Sequence, residues 1–542
     1  MEKRVIIAII LCVGVLMAWS KLVPPPAPSH PTPGTQSAPS AAVPGAAPPG
    51  AGGPAPSGAA NQPEQEVELS TPDVRFVFSN IGGTVKHAQL RDPKFRERPG
   101  DAQSGHDVVT TRDTGNAALR TTFPGATFPA LAGAWQVSRP AADVVSFVAE
   151  NADVRVEKRY RADTTRYRLH LDVIVSNKSA KNEDHHLALH LAGRQDPQKK
   201  GGGFFSGGAT NQSSLLCYVS GSRLADRVAI EKVAKDPLDK LGNIRWIGVD
   251  EKFFLLAAVP YPEPTPQDRS CKTLSEDGVV GEVVLAFTER SVPPQGSTSY
   301  AFSIFAGPKV VDDLSEVQPG GVDADLDKAV DVTLAWLSHP ILVLLKFFHR
   351  FAHNWGVAII LLTLFIKLLT FYPTQKSMLS AKKMQKLAPK MNAIRKKYEN
   401  DRQRQSVETM NLYKAHGVSP FGGCLPSLIQ MPIWIALYST LNYAVELYRA
   451  PFIFHIHDLT DKDPFYITPL LMGGVMFLQM RMSPASPDGQ QQQMMQLMMP
   501  IMFTAFSLVL PSGLALYMLT SYLIGILQQL YINHVDRKTA AV

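Results

Sequence analysis

Five apolar runs crowd the last third of the chain, at about 355–373, 425–445, 467–482, 495–510 and 514–532. A helix rises about 1.5 Å per residue, so about 20 residues match the roughly 30 Å hydrocarbon layer of a bilayer. No single soluble core takes up five such runs in succession, so this part reads as a bundle of membrane-spanning helices. A sixth run, residues 5–23, follows Met1-Glu2-Lys3-Arg4, with Ser20 and Lys21 polar near its end. No small-residue cleavage site follows it, and Ile10-Leu11 before Cys12 does not fit a lipoprotein site. Residues 1–23 therefore read as an uncleaved anchor, giving six spans. Charged residues are only 19% of the chain, below the roughly 25% of soluble domains. The runs at 467–482 and 495–510 are short for a full crossing and imply a locally thinned bilayer.

Residues 24–65 are Pro, Ala, Gly and Ser. Of 42 prolines, 13 lie between Pro24 and Pro63. Such a segment buries too little to offset its ordering entropy and serves as a tether. From about 66 to 320 the pattern becomes short alternating runs, such as Tyr167-Arg168-Leu169-His170-Leu171-Asp172-Val173. Period-two alternation between turn residues predicts a large antiparallel β-sandwich. Within it, glycines at 201–203 and 207–208 flank Phe204-Phe205 and mark a loop without the strand-to-helix context of a phosphate cradle. Cys217 and Cys271 share this domain, and the sequence leaves both a bridge and two free thiols open. Four cysteines in all form no CxxC and no metal spacing.

Residues 338–353 place Lys346, His349, Arg350 and His353 at i, i+3, i+4, i+7, with Ile341, Leu342, Leu344, Leu345 and Phe348 opposite. That pattern predicts an amphipathic helix lying in the membrane interface. The spans and their loops then occupy 354–533, with a short tail at 534–542. Loop 374–417 carries eleven Lys/Arg against three acids, so the positive-inside rule puts it, and both termini, in the cytoplasm. The β domain then lies across the membrane, in the periplasm of a Gram-negative cell. Met384, Leu387, Met391, Ile394 and Tyr398 keep an a/d spacing in this loop. Val407, Met410 and Tyr413 form a second piece, and Pro389 kinks or restarts the helix. A helical hairpin is expected, with Lys382, Lys383, Lys386, Lys390, Lys396 and Lys397 facing anionic lipid, a client or a ribosome.

Lys367 puts an ammonium inside an apolar span, which is costly. Two readings stand: it snorkels to an interface roughly 8 Å away near Tyr372, or it lines a wet cavity. Thr363, one turn away, and Gln430 in the next span would share that cavity. Methionines crowd 472–502 and serve either as core filler or as an adaptable binding surface. His455-x-His457-Asp458 is too short and isolated for a metal site, and no cofactor is expected. No nucleophile elbow, Walker loop or zinc helix occurs, so enzymatic chemistry has no foothold, and no DNA contact is expected.

Several long motifs resemble those of the YidC/Oxa/Alb family of membrane-protein insertases. They are Asn354-Trp355-Gly356, Ser419-Pro420-Phe421-Gly422-Gly423-Cys424-Leu425-Pro426, Ile429-Gln430-Met431-Pro432-Ile433-Trp434 and Pro511-Ser512-Gly513-Leu514. Phe78-Ser79-Asn80-Ile81-Gly82-Gly83, Arg245-Trp246-Ile247-Gly248-Val249 and Gly307-Pro308-Lys309 are similar to the family's Gram-negative periplasmic region. The resemblance implies an α+β multidomain protein of the bacterial inner membrane: a polytopic helical bundle of six spans, a periplasmic antiparallel β-sandwich and a cytoplasmic hairpin. It implies insertion and folding of nascent inner-membrane proteins, alone or with the Sec translocon, through a hydrophilic groove and without nucleotide hydrolysis. The groove would hold Lys367, Thr363 and Gln430, and client helices would slide along Met431, Pro432, Trp434 and Phe506. Lys367 stands where the family usually has arginine, keeping the charge without the planar fork. Glu446-Leu447-Tyr448-Arg449 carries an extra Tyr448 within the family's Glu-Leu-Arg. A solute transporter would need internal repeats and charged mid-membrane helices. A sugar-modifying sandwich would need a carboxylate or histidine constellation. Neither feature is found.

Overall fold

The computed structural model describes residues 63–97, 101, 104–111, 114–131, 133–196, 212–263, 268–332, 334–399, 401–417, 425–482 and 489–540. The anchor at 1–23, the tether up to residue 62, the 201–208 loop and the 419–424 motif lie outside them.

Antiparallel strands fill the N-terminal part of the described chain. A nine-stranded sheet runs, edge to edge, Asp226–Ala229, Ser214–Val219, Ile244–Asp250, Phe254–Pro260, Ser297–Pro308, Arg168–Asn177, Val154–Ala162, Val144–Glu150 and Gln136–Ala141. A five-stranded sheet runs Asp239–Gly242, Arg269–Leu274, Val280–Ala286, Ala188–Arg194 and Arg120–Thr122. The strand Arg168–Asn177 shows why: Leu169, Leu171, Val173 and Val175 are buried and every second residue between them is not. A pleated strand sends successive side chains to opposite faces, so such a sequence can bury one face only as a strand. Trp246, Tyr160, Tyr167, Phe302 and Phe305 fill the core. Cys217 and Cys271 are disulfide-bonded, with Cα atoms 6.3 Å apart, and tie the nine-stranded sheet to the five-stranded one.

Helices follow. The segment expected to lie in the interface forms α1 (Ala335–Ala352), starting three residues before the expected 338. It has three faces rather than two. Ile341, Leu342 and Leu345 are buried in the protein, while Lys346 pairs with Glu446 at 2.5 Å. Trp336, Val343, Phe347 and Phe351 remain exposed, an apolar face suited to acyl chains. His353, at φ 52°, ends the helix, and the Asn354 side chain accepts from the Val357 N–H to start α2 (Trp355–Leu369). Gly356 is required here because a Cβ would meet the Phe452 ring at 2.0 Å.

The expected span at 355–373 stops early. The axis turns by 63° between α2 and α3 (Phe371–Lys386). Pro373 explains the break: it has no N–H for the Leu369 carbonyl, and its ring crowds that oxygen. α4 (Ala388–Lys397) and α5 (Arg402–Ala415) complete the hairpin. Pro389 restarts the helix, standing near the start of α4. Leu387, Met391 and Tyr413 form its small core, whereas Val407 and Met410 are exposed instead of packing.

α6 (Leu425–Tyr443), α7 (Ile467–Met482), α8 (Gly489–Ser507) and α9 (Ser512–Ala540) finish the chain. Among the described residues one helix alone, within α9, is long and apolar enough to cross a bilayer, or two when the bent α2–α3 pair counts as one span.

The β domain is seated on the helices through aromatic and polar contacts. Tyr448 packs against Phe95, Phe253 and Phe254, with ring centres 5.3–5.9 Å apart. Lys94 donates to the carbonyls of Val445 and Glu446 at 3.0 and 3.2 Å, and Lys252 to that of Thr460 at 3.1 Å. Burial pushes both lysines below the usual amine range.

Candidate functional site

α2 carries one basic residue, Lys367, in its last turn, two residues before the α2–α3 turn. The side chain is neither fully buried nor free in solvent. Among the described residues, no carboxylate and no hydrogen-bond acceptor reaches its ammonium. A half-buried cation without a counter-ion is expensive unless water or an incoming group solvates it.

Thr363, one turn earlier, is fully buried, and its hydroxyl donates to the Ile359 carbonyl at 2.7 Å. This is the usual behaviour of a threonine in an apolar helix, where the i−4 carbonyl is the nearest acceptor. Its hydroxyl is thus engaged within α2 and is not presented to a groove. Gln430 on α6 is half-buried and donates through Nε2 to the hydroxyl of Tyr517 on α9. Tyr517 itself is buried. Sequence reasoning missed it, although a tyrosine hydroxyl in the middle of an apolar run needs a partner and could have been matched to Gln430.

Met431 on α6 is exposed, and Pro432 and Trp434 are partly so. Trp434 stacks on Tyr438 one turn further and meets Phe506 of α8, each at 6.0 Å between ring centres. Thus Trp434 and Phe506, separated by 72 positions in sequence, belong to one aromatic seam. Leu428 and Met431 on α6 and Leu497, Met498, Ile501 and Met502 on α8 expose apolar surface around it. α7 and α8 approach closely at Gly473, where a Cβ would lie 2.0 Å from Thr504 Oγ1.

The hairpin presents Lys383, Lys386, Lys390, Lys396 and Lys397 as exposed, with Lys382 partly covered. Lys390 lies 3.2 Å from His416 across the hairpin, and the Tyr413 hydroxyl meets the Met391 sulfur at 2.9 Å. On the opposite end of the helices, His455 and Asp458 do structural work. Asp463 accepts from the Thr468 and Phe465 N–H groups at the start of α7 and is held by His455 at 3.1 Å. Asp458 accepts from Thr460 twice, and burial pushes its carboxyl up. Among the described residues no group of three potential metal ligands forms.

Two family models match the chain. The "YidC periplasmic domain" model covers residues 66–344, and the "60Kd inner membrane protein" model covers residues 347–539. The chain is 33% identical to the membrane protein insertase YidC of Syntrophus aciditrophicus, over 98% of this chain and 99% of that one. It is 34% identical to the one of Geobacter metallireducens, over 98% of each. Among solved structures it is similar to an active YidC insertase, at 20% identity and a TM-score of 0.36, over 85% of this chain and 92% of that one. The β-sheet part is accordingly a periplasmic domain and the helical part the core of an inner-membrane protein. With both parts matched and full-length relatives a third identical, the chain belongs to the YidC/Oxa family of membrane-protein insertases.

Proposed function

We propose that this protein inserts and helps to fold inner-membrane proteins through a groove between α2, α6 and α9, without nucleotide hydrolysis. The half-buried Lys367 ammonium, with no partner among the described residues, carries this reading. A short polar or acidic tail of a client enters beside Lys367 and supplies the missing counter-charge. Gln430 and Tyr517 offer hydrogen bonds there, while Thr363 contributes wall. The client's apolar helix passes along Met431, Pro432, Trp434 and Phe506 and then leaves for lipid. Burial of its apolar surface drives the step. α2 is 15 residues and α7 is 16, roughly 22–24 Å, which lowers the thickness to be crossed.

Six spans follow if residues 1–23 anchor the chain and five helical segments starting at α2, α6, α7, α8 and α9 cross. The two termini and the hairpin then lie in the cytoplasm. The Cys217–Cys271 bond supports placing the β domain outside, because buried structural disulfides belong to oxidising compartments. The hairpin lysines receive nascent clients or the ribosome, and the Sec translocon shares part of the work.

The test is protease protection of a single-span client with an acidic translocated tail, offered to proteoliposomes holding the purified protein. Wild type is expected to protect the tail, and Lys367→Ala to lose most of that protection unless the tail acids are neutralised. Failure of wild type to protect any client in sealed vesicles overturns the proposal.

A further inference from the structure

A cavity of about 610 Å³ opens where the β domain meets α6. One wall is built from neighbouring strand ends of the nine-stranded sheet, with Ser214, Asp250 and Lys309 beside Arg227, Val228 and Ala229 of the edge strand Asp226–Ala229; the facing wall is α6, contributing Ile435, Tyr438 and Asn442. Three observations bear on what fills it.

First, the α6 wall is continuous with the exposed surface described above. Leu428, Met431, Ile435, Tyr438 and Asn442 are spaced 3, 4, 3 and 4 residues apart, which is one face of a helix. The face is exposed at Leu428 and Met431 and ends in the cavity about 21 Å further on. Asn442 Oδ1 sits there buried, with no hydrogen-bond partner among the described residues.

Second, the other wall includes the last strand of the nine-stranded sheet. It pairs inward with Ser214–Val219. Among the described residues, the backbone of Asp226–Ala229 makes no bond on its outer side; the neighbouring Ala225 N–H donates to the Lys328 carbonyl. An unpaired edge is a template for an added strand.

Third, the charges are mixed. Lys309 and Arg227 are both held by Asp250. Lys232, Asp236 and Asp331 also line the cavity and have no ion-pair partner among the described residues.

We propose that this cavity receives the translocated segment of the client as an extended polypeptide, whose backbone pairs with the Asp226–Ala229 edge. The inference rests on the insertase reading and adds the place where the crossing segment emerges. An edge strand reads a peptide backbone, which a lipid headgroup does not offer, and walls of both signs accommodate tails of either charge.

The test places a photoreactive benzoylphenylalanine at Ala229, at Tyr438 on the facing wall, or at the exposed Leu241 of the other sheet as a control. The full-length protein in inverted inner-membrane vesicles is irradiated during insertion of a single-span client, and protease protection is read from the same sample. Adducts to the client's translocated tail are expected at Ala229 and Tyr438, at least tenfold above Leu241. A client that is inserted but unlinked at both positions, or linked equally at Leu241, overturns the receiving site alone. Adducts to lipid in place of the tail overturn it too. A client that is not inserted at all overturns the insertase reading and this inference with it.

Discussion

The Cys217–Cys271 bond joins strands of opposite sheets across 54 residues. Replacing both cysteines with alanine removes that constraint from the unfolded chain. Loop-closure entropy for 54 residues corresponds to about 4 kcal/mol at 25 °C. For a domain of roughly 250 residues each kcal/mol moves Tm by about 2–4 °C, so a fall of roughly 8–16 °C is expected. Both side chains are fully buried, and alanine keeps the site apolar, so lost hydrogen bonding does not inflate the effect. The assay is thermal unfolding of the full-length protein in detergent, followed by near-ultraviolet circular dichroism. The Tyr218–Trp246 stack, 5.5 Å between ring centres and adjacent in sequence to Cys217, supplies the signal. Mass spectrometry of alkylated protein from intact cells gives the oxidation state. An unchanged Tm, or free thiols at both positions, refutes both the cross-link's role and the compartment inferred from it.

Two further perturbations test the packing. Gly356→Val drives a methyl-bearing carbon into the Phe452 ring; overpacking costs about 1–3 kcal/mol, and Phe452→Ala in the same chain should restore most of the lost detergent stability. Equal destabilisation in the single and double variants contradicts the contact. Burial, helped by the nearby Arg290 cation, pushes His185 down to about 4. The folded protein holds it neutral while the unfolded chain protonates at about 6.5, so its contribution is full above that pH and is lost as pH falls towards about 4. The Tm of wild type should drop more steeply over this window than that of His185→Gln, and parallel profiles contradict the assignment.

The strands were legible because alternation is a local signal: Leu169 to Val175 could bury one face only as a strand. The same holds for the anti-correlated charge and apolar positions of α1, whose third, exposed face at Val343, Phe347 and Phe351 was not legible, because it depends on what the neighbouring helices cover. Hydropathy located the apolar helices but not their ends. α2 turns at Thr370 because Pro373 acts on the carbonyl four residues earlier. α8 begins at Gly489, six residues before the apolar run, since glutamines extend a helix as readily as they leave a hydropathy window. α9 runs on to Ala540 because no proline or glycine stops it after Gly525. At the site, the type of residue was legible and its partner was not. Lys367 was visible as a charge in an apolar run, whereas the Gln430–Tyr517 bond links positions 87 apart and needs the fold. Tyr448 stood out only as an extra residue in a motif; its place against Phe95, Phe253 and Phe254 is a matter of tertiary contact.

Under the proposed function, Lys367 attracts the client tail by charge. Charge reversal tests it most directly. Lys367→Glu and wild type are reconstituted in parallel, and each is offered one client in two forms, with an acidic tail or with the same tail carrying lysines. Protease protection is then measured at low and at high salt. Wild type should favour the acidic tail and Lys367→Glu the basic one, with both preferences weakening as salt screens the groove. Identical preferences in the two proteins, with each shown to be folded, would contradict the account and leave Lys367 as a cation that merely reaches for the interface.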